Sequence, residues 1–130
     1  MRWPPYFSID DFPDQELVLH NDHCAYLVQP ERKILPGSGL IVPFELRETV
    51  FDLTPEEWAA TFELLRAAKE WVDERYSPDG YNVGWNNKPV AGQSIPQVHL
   101  HVIPRFADEP LAGKGIRYFM KQAQNRRPGF

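Results

Sequence analysis

Gln97-Val98-His99-Leu100-His101-Val102-Ile103-Pro104 alternates polar and apolar side chains through its first six residues. That period of two is the pattern of a half-buried β-strand, whose side chains point to opposite faces. Val98, Leu100 and Val102 would face a core. Gln97, His99 and His101 would line the other face, with neighbours about 6.6–6.8 Å apart at a rise of about 3.3–3.4 Å per residue. A solvated strand face with incidental histidines is the plain reading of these eight residues alone. An aligned pair of imidazoles with a carboxamide is the chemical one, and the flanking sequence decides between them.

The chain of 130 residues suits one domain spanning 1–130, long enough to bury a core without staples. Its 42% hydrophobic and 25% charged residues are those of an ordinary globular protein, and 13 prolines imply many fixed turns. A net charge of −4 argues against gripping duplex nucleic acid by bulk electrostatics, so no stable nucleic-acid partner is expected. A nucleotide needs only a local cluster of donors. The single cysteine, Cys24, forms no internal disulfide and reads as a small buried hydrophobe in a reducing setting. No stretch has the roughly 18–20 apolar residues of a membrane span, and the first residues lack the apolar run of a signal peptide. A cytoplasmic protein with no membrane partner is the expectation.

Outward from the opening stretch, Asn87–Pro96 reads as a loop carrying Ala91-Gly92-Gln93-Ser94. Tyr81–Asn86 alternates and is expected to be the neighbouring strand. Before it, Thr54-Pro55-Glu56-Glu57 combines an N-cap, proline at N1 and glutamate at N3, a capping box, with Leu53 and Trp58 placed for a hydrophobic staple. Trp58, Phe62, Leu65, Ala68 and Val72 then recur at helical spacing, predicting a helix to about Tyr76 whose aromatic stripe faces the core. Ser77-Pro78-Asp79-Gly80 stops it. Leu40–Pro43 and Cys24–Val28 read as a hairpin of buried strands, and Leu17–Leu19 as a strand ending in an Asn-Asp turn. Residues 1–16 read as an irregular arm. Downstream, Gly115–Gln124 is expected to form a short helix carrying Ile116, Phe119 and Met120, and 125–130 a polar tail. The sum is an α+β domain: a mostly antiparallel sheet of about five strands, one long helix on a face, and a short C-terminal helix.

The loop before the opening strand brings the Gly92 backbone, the Gln93 amide and the Ser94 hydroxyl to the start of the His99 face. Small residues let backbone N–H groups approach an anion, and amide and hydroxyl donors complete the cradle. Asn86 at the end of the adjacent strand adds a donor. Beside two histidines on a strand, this becomes a phosphate site. His20 and His23 have no second ligand pair for a metal.

These residues resemble the histidine-triad (HIT) nucleotide hydrolases and transferases. The similarity runs through Leu35-Pro36-Gly37, Leu40–Pro43, Asp52–Glu57, Tyr81–Asn86, Ala91–Ser94 and Gln97–Arg105, in order and spacing. It covers roughly Tyr26 to Arg105 and implies a HIT-like fold, commonly a homodimer with the sheet extended across the interface. The family signature is His-φ-His-φ-His-φ-φ, with φ apolar. Its second histidine attacks the α-phosphate of a nucleotide, forming a covalent nucleotidyl-histidine that is later hydrolysed. The resemblance puts His99 at that position and His101 at the third, with Asn86, Gln93, Ser94 and Gly92 at the phosphates. It implicates Leu27–Glu31 and Leu40 at the sugar and base, Gln29 or Glu31 as ribose ligands. A neutral imidazole is a competent nucleophile when its other nitrogen donates to a fixed acceptor.

Two positions depart from the family. Gln97 stands where the first histidine is expected, and Ser38 where a histidine often follows Pro-Gly. Glutamine hydrogen-bonds but neither becomes a cation nor shuttles a proton. The expected activity is cleavage at the α-phosphate of a dinucleoside polyphosphate or related conjugate through His99, with His101 and Gln97 beside it. The motif requires no cofactor, and any divalent cation is expected to come with the substrate phosphates. Loss of turnover would instead leave a nucleotide-binding module. A metal site of the cupin kind is disfavoured, because Pro104, Arg105 and Phe106 occupy the positions of the expected acid.

Overall fold

The capping box starts the long helix where the sequence puts it. In the computed structural model, which describes residues 12, 14–29 and 34–130, helix α1 runs Pro55–Tyr76 behind N-cap Thr54. The Thr54 hydroxyl accepts from the Glu57 N–H at 3.1 Å, and the Glu57 carboxylate accepts from the Thr54 N–H at 2.8 Å. Two of the four orphan N–H groups at a helix start are thereby satisfied. Ser77 ends the helix in the left-handed conformation.

Five strands follow the expected order, β1 Glu16–His20, β2 Cys24–Val28, β3 Gly39–Pro43, β4 Gly80–Trp85 and β5 Leu100–Arg105. They form one sheet in the order β1-β2-β3-β5-β4, every neighbouring pair antiparallel. Asn21 makes the β1–β2 turn by accepting the His23 and Cys24 N–H groups on its side-chain oxygen, each at 3.0 Å. β3 begins with glycine for a steric reason: a Cβ on Gly39 would lie 2.6 Å from the Leu27 carbonyl oxygen and 2.7 Å from the Tyr26 ring.

The sheet has two apolar faces. On one, Ala60, Leu64, Ala68 and Val72 of α1 bury against Cys24, Tyr26, Val28, Ile41, Leu100 and Val102. On the other, Ala25, Leu27, Val42 and Phe44 form a second cluster closed by Phe12. This corrects the expected helix stripe. Ala68 and Val72 belong to the core, but Trp58 is 55% and Phe62 57% exposed. Two rows of α1 share helical spacing, and the one containing alanines lets the helix sit close to the sheet. Trp58 instead stacks on Trp85 of β4, ring centroids 6.2 Å apart.

Two further expectations are corrected. The strand expected over 97–104 begins only at Leu100, because Gln97 and Val98 are tied elsewhere: the Val98 N–H donates to the Arg47 carbonyl at 2.7 Å. The short C-terminal helix expected over 115–124 is instead two single 3-10 turns, Phe119–Lys121 and Ala123–Asn125, with Ile116, Phe119 and Met120 exposed. This segment has no apolar face against the core to support a regular helix. Residues 1–11 of the expected arm, and Glu31, lie outside the described residues.

Candidate active site

β5 presents its outward residues on the face opposite α1. His101 lies directly between Leu40 of β3 and Gly84 of β4 in the sheet register. Opposed residues in a sheet share a face, so Leu40 walls one side of the imidazole while Gly84 leaves the other side low. His99 precedes the strand and is buried. Its ring meets His101 edge-on with centroids 4.8 Å apart, and Phe12 packs edge-on against it from the other side at 5.9 Å.

The decisive contact of His99 is to the main chain. Its Nδ1 lies 2.9 Å from the carbonyl oxygen of Gln97. A carbonyl only accepts, so Nδ1 carries the proton and donates it. In the neutral ring Nε2 is then left with its lone pair. His99 and His101 border a cavity of about 500 Å³ with Leu35, Ser38, Leu40, Ser94, Ile95 and Ile103. A second hollow of about 300 Å³ opens on the β4 side of His101, among Asn82, Gly84, Asn86 and Ile116. The Asn86 amide nitrogen is 3.5 Å from His101 Nε2, at the outer limit of a hydrogen bond. An oriented imidazole lone pair on a residue that lines a cavity, beside a second histidine, suits nucleophilic attack on a phosphate ester.

Residues 13–108 match the HIT domain. The chain belongs to the HIT domain family. It is 38% identical over 109 residues to bis(5'-adenosyl)-triphosphatase of Saccharomyces cerevisiae, covering 82% of this chain and 51% of that protein. It is 32% identical over 100 residues to the asymmetrical bis(5'-nucleosyl)-tetraphosphatase of Schizosaccharomyces pombe, covering 77% and 54%. The chain thus spans about half the length of these curated relatives. A HIT family protein from Bacillus anthracis superposes with a TM-score of 0.68 at 27% identity, over 78% of this chain and 71% of that one. A protein from Leishmania major does so at 0.65 and 26%, over the same shares.

Within this HIT domain the residues singled out from sequence separate into two groups. His99, His101 and Ser94 meet at the large cavity, and Asn86 reaches His101 from β4. Gln97, Gln93 and Gly92 are spent on the loops. The Gln97 carboxamide accepts the Arg47 N–H at 2.9 Å and donates to the carbonyls of Pro43 and Glu45, each at 2.9 Å. It faces the 43–47 loop, not the cavity, which corrects its expected place on one face with the two histidines. Gln93 is buried, accepting the Lys88 N–H and donating to the Glu48 carbonyl, each at 2.6 Å. The Gly92 N–H closes a turn on Pro89 at 2.9 Å, with Gly92 itself at a φ of 98°. Gln29 follows β2 and is not among the cavity's lining residues. Ser38 borders the cavity and donates its hydroxyl to the Leu35 carbonyl at 2.7 Å.

Phe12, Gln15, Ile34 and Ile95 also line the cavity and were not picked out from the sequence. Among the described residues, Leu40 alone of the expected sugar and base region is a lining residue. No period or motif marks the others, because they come from irregular segments folded over the sheet. Among the described residues no three His, Cys, Asp or Glu side chains converge on a metal position, and His20 and His23 are exposed on the β1–β2 turn.

Proposed function

We propose that this HIT domain hydrolyses dinucleoside polyphosphates, or related nucleotide conjugates, at the α-phosphate. The observation carrying this reading is the Gln97 carbonyl that holds the proton of His99 on Nδ1 and leaves Nε2 the lone pair at the cavity wall. In the proposed reaction His99 Nε2 attacks the α-phosphorus. The bond to the bridging oxygen breaks, and its electron pair leaves with the departing nucleoside phosphate. Water then attacks the same phosphorus, the P–N bond breaks, a proton is released and the mononucleotide leaves the regenerated imidazole. His101 would face the phosphates, with Ser94 and Asn86 as donors to their oxygens. A divalent cation, where one takes part, would ride on the substrate phosphates. The names of the yeast relatives support this substrate class.

Incubation with diadenosine tri- and tetraphosphate tests it. AMP plus ADP or ATP is expected, and His99→Ala must abolish turnover. Absence of a mononucleotide product from either substrate refutes it. A specific observation favours a second reading, a nucleotide-binding module with little or no turnover. The Gln97 amide carries no titratable proton and is committed to the 43–47 loop. Calorimetric nucleotide binding without hydrolysis over hours would select that module.

A homodimer is part of the proposal. β4 is an edge strand of the sheet, and beside it Trp58, Phe62, Leu65 and Trp85 border a shallow apolar hollow of about 230 Å³. An apolar patch next to an open sheet edge supports cover by a second copy. A cytoplasmic location is supported by Cys24, a lone buried thiol whose pKa burial pushes up to about 11. Among the described residues no helix is long and apolar enough to cross a membrane.

A further inference from the structure

The charge of the chain is divided unevenly. Of 14 Lys and Arg residues, Lys114, Arg117, Lys121, Arg126 and Arg127 lie after Glu109, whereas all 18 Asp and Glu residues lie at or before it. Residues 110–130 are cationic, and the residues before them are acidic on balance. Arg105, at the end of β5, fixes where that segment lies. Its guanidinium donates to the Lys114 carbonyl at 2.6 Å and the Leu111 carbonyl at 2.9 Å, and also reaches Asn82 of β4 and Glu109. The segment therefore crosses the outer face of β4. Ile116 comes to rest over Gly84: a Cβ built there would lie 3.5 Å from its Cδ1.

This crossing sets two hollows side by side. Asn82 and Ile116 border both the hollow beside His101 and a groove of about 430 Å³ that Lys114, Arg117 and Lys121 line. Among the described residues no acidic side chain lines that groove, and none of its three cations is in an ion pair. From the large cavity on the β3 side, His101 borders the smaller hollow as well, and Asn82 with Ile116, seated on Gly84, forms the boundary that this hollow shares with the groove of three positive charges. Asn82 and Gly84 are two residues apart on one strand, so the strand beneath the two hollows spans about 6.8 Å between them. That is the scale of a short phosphate chain.

We propose that this groove binds the phosphates of the departing half of the substrate, a nucleoside di- or triphosphate. The inference rests on the hydrolytic reading above and deepens it: the cleaved nucleotide lies in the cavity by Leu40 and Phe12, and the leaving group lies along Lys114, Arg117 and Lys121. Cations at this position favour the charge that the leaving group gains as the bridging oxygen departs. They do nothing for a substrate whose leaving group has no phosphate.

The test is a Lys114→Ala, Arg117→Ala, Lys121→Ala triple variant, whose three sites are exposed and outside the core. Its kcat/KM on diadenosine tetraphosphate is expected to fall about tenfold or more at low salt, as expected for three exposed charge contacts. Its kcat/KM on the p-nitrophenyl ester of AMP should stay within about twofold of wild type. Wild-type protein should bind ATP more tightly than AMP in calorimetry, and the variant should lose that difference. Equal losses on both substrates, or no loss on either, overturn the proposal. So does a single-stranded oligoadenylate that displaces ATP at lower phosphate concentration than ATP itself, since the groove would then serve nucleic acid. If wild type binds AMP but ATP no more tightly, the groove alone fails. If it binds neither and turns over neither substrate, the hydrolytic reading fails with it.

Discussion

Removing the Gln97 carboxamide should cost stability rather than chemistry. In Gln97→Leu the Arg47 N–H and the carbonyls of Pro43 and Glu45 all lose their partner. A buried polar group left without a partner costs about 1–3 kcal/mol, and groups that water can partly reach cost less. The bond to Pro43 is fully buried, and those to Arg47 and Glu45 only partly. Offset by the gain from an apolar side chain, the net loss is about 2–4 kcal/mol. In a domain of this length that lowers Tm by about 8–15 °C. Gln97→Glu makes a sharper case, because a carboxylate cannot donate to two carbonyls. Its carboxyl would titrate above the ordinary glutamate value of about 4.3. Protonated, it still donates one of the two bonds; raised in the fold, that remaining contribution is present below the ordinary value and lost as pH rises through the shifted pKa. Thermal unfolding of both variants across pH, with kcat/KM measured well below Tm, is the assay. A Gln97→Leu protein that loses less than about 1 kcal/mol yet loses more than tenfold in kcat/KM would refute the reasoning, since the side chain would then touch substrate.

Other outcomes follow from the same geometry. His99→Ala should lower turnover by about four to six orders of magnitude, as expected for a nucleophile, while still binding nucleotide in calorimetry; residual turnover above that range counts against His99. Trp58→Glu with Phe62→Glu should weaken a homodimer by about 2 kcal/mol or more, some thirtyfold in Kd, which sedimentation velocity reads against an unchanged monomer fold. Burial pushes the Glu57 carboxyl up, but the Thr54 N–H and the Arg47 guanidinium pull it further down, so it titrates below its ordinary value of 4.5. Its contribution is then present above that value and lost as pH falls through the depressed one. Glu57→Gln should accordingly flatten the acid limb of urea midpoint against pH, and an unchanged limb would contradict the pairing.

The sequence carried the parts of this fold that local chemistry writes. Thr54, Pro55 and Glu57 fix the start of α1 within four residues, and Leu100 and Val102 alternate because one face of β5 is core. It failed where partners lie far along the chain. Gln97 meets Arg47 across fifty residues, and nothing in the alternation of 97–102 shows that its first members are held by a loop instead of a neighbouring strand. The helix misled for another reason. Trp58 and Phe62 satisfy helical spacing as well as Ala60 and Leu64 do, and periodicity alone cannot show that a close helix–sheet contact selects the smaller row. Phe12, Ile34 and Ile95 reach the cavity from irregular chain, which has no period to read.

Gln97 contributes to the site through two different groups, and only one of them depends on its identity. The side chain braces the 43–47 loop, a contact that another residue type would alter. The main-chain carbonyl orients His99, and every residue at this position would supply it. The side chain at this position therefore leaves the tautomer of the proposed nucleophile undisturbed and, turned to the 43–47 loop, brings no titratable proton to the cavity. The consequence falls on the leaving group. A nucleoside polyphosphate departs as an anion and needs charge stabilisation more than a proton, whereas an amine must be protonated as it leaves. A site with an oriented imidazole, no titratable proton from Gln97 and cations in the neighbouring groove suits the first kind of substrate. On that reasoning the proposed site suits anionic leaving groups because no titratable side chain at 97 reaches the cavity, while the backbone sets the nucleophile.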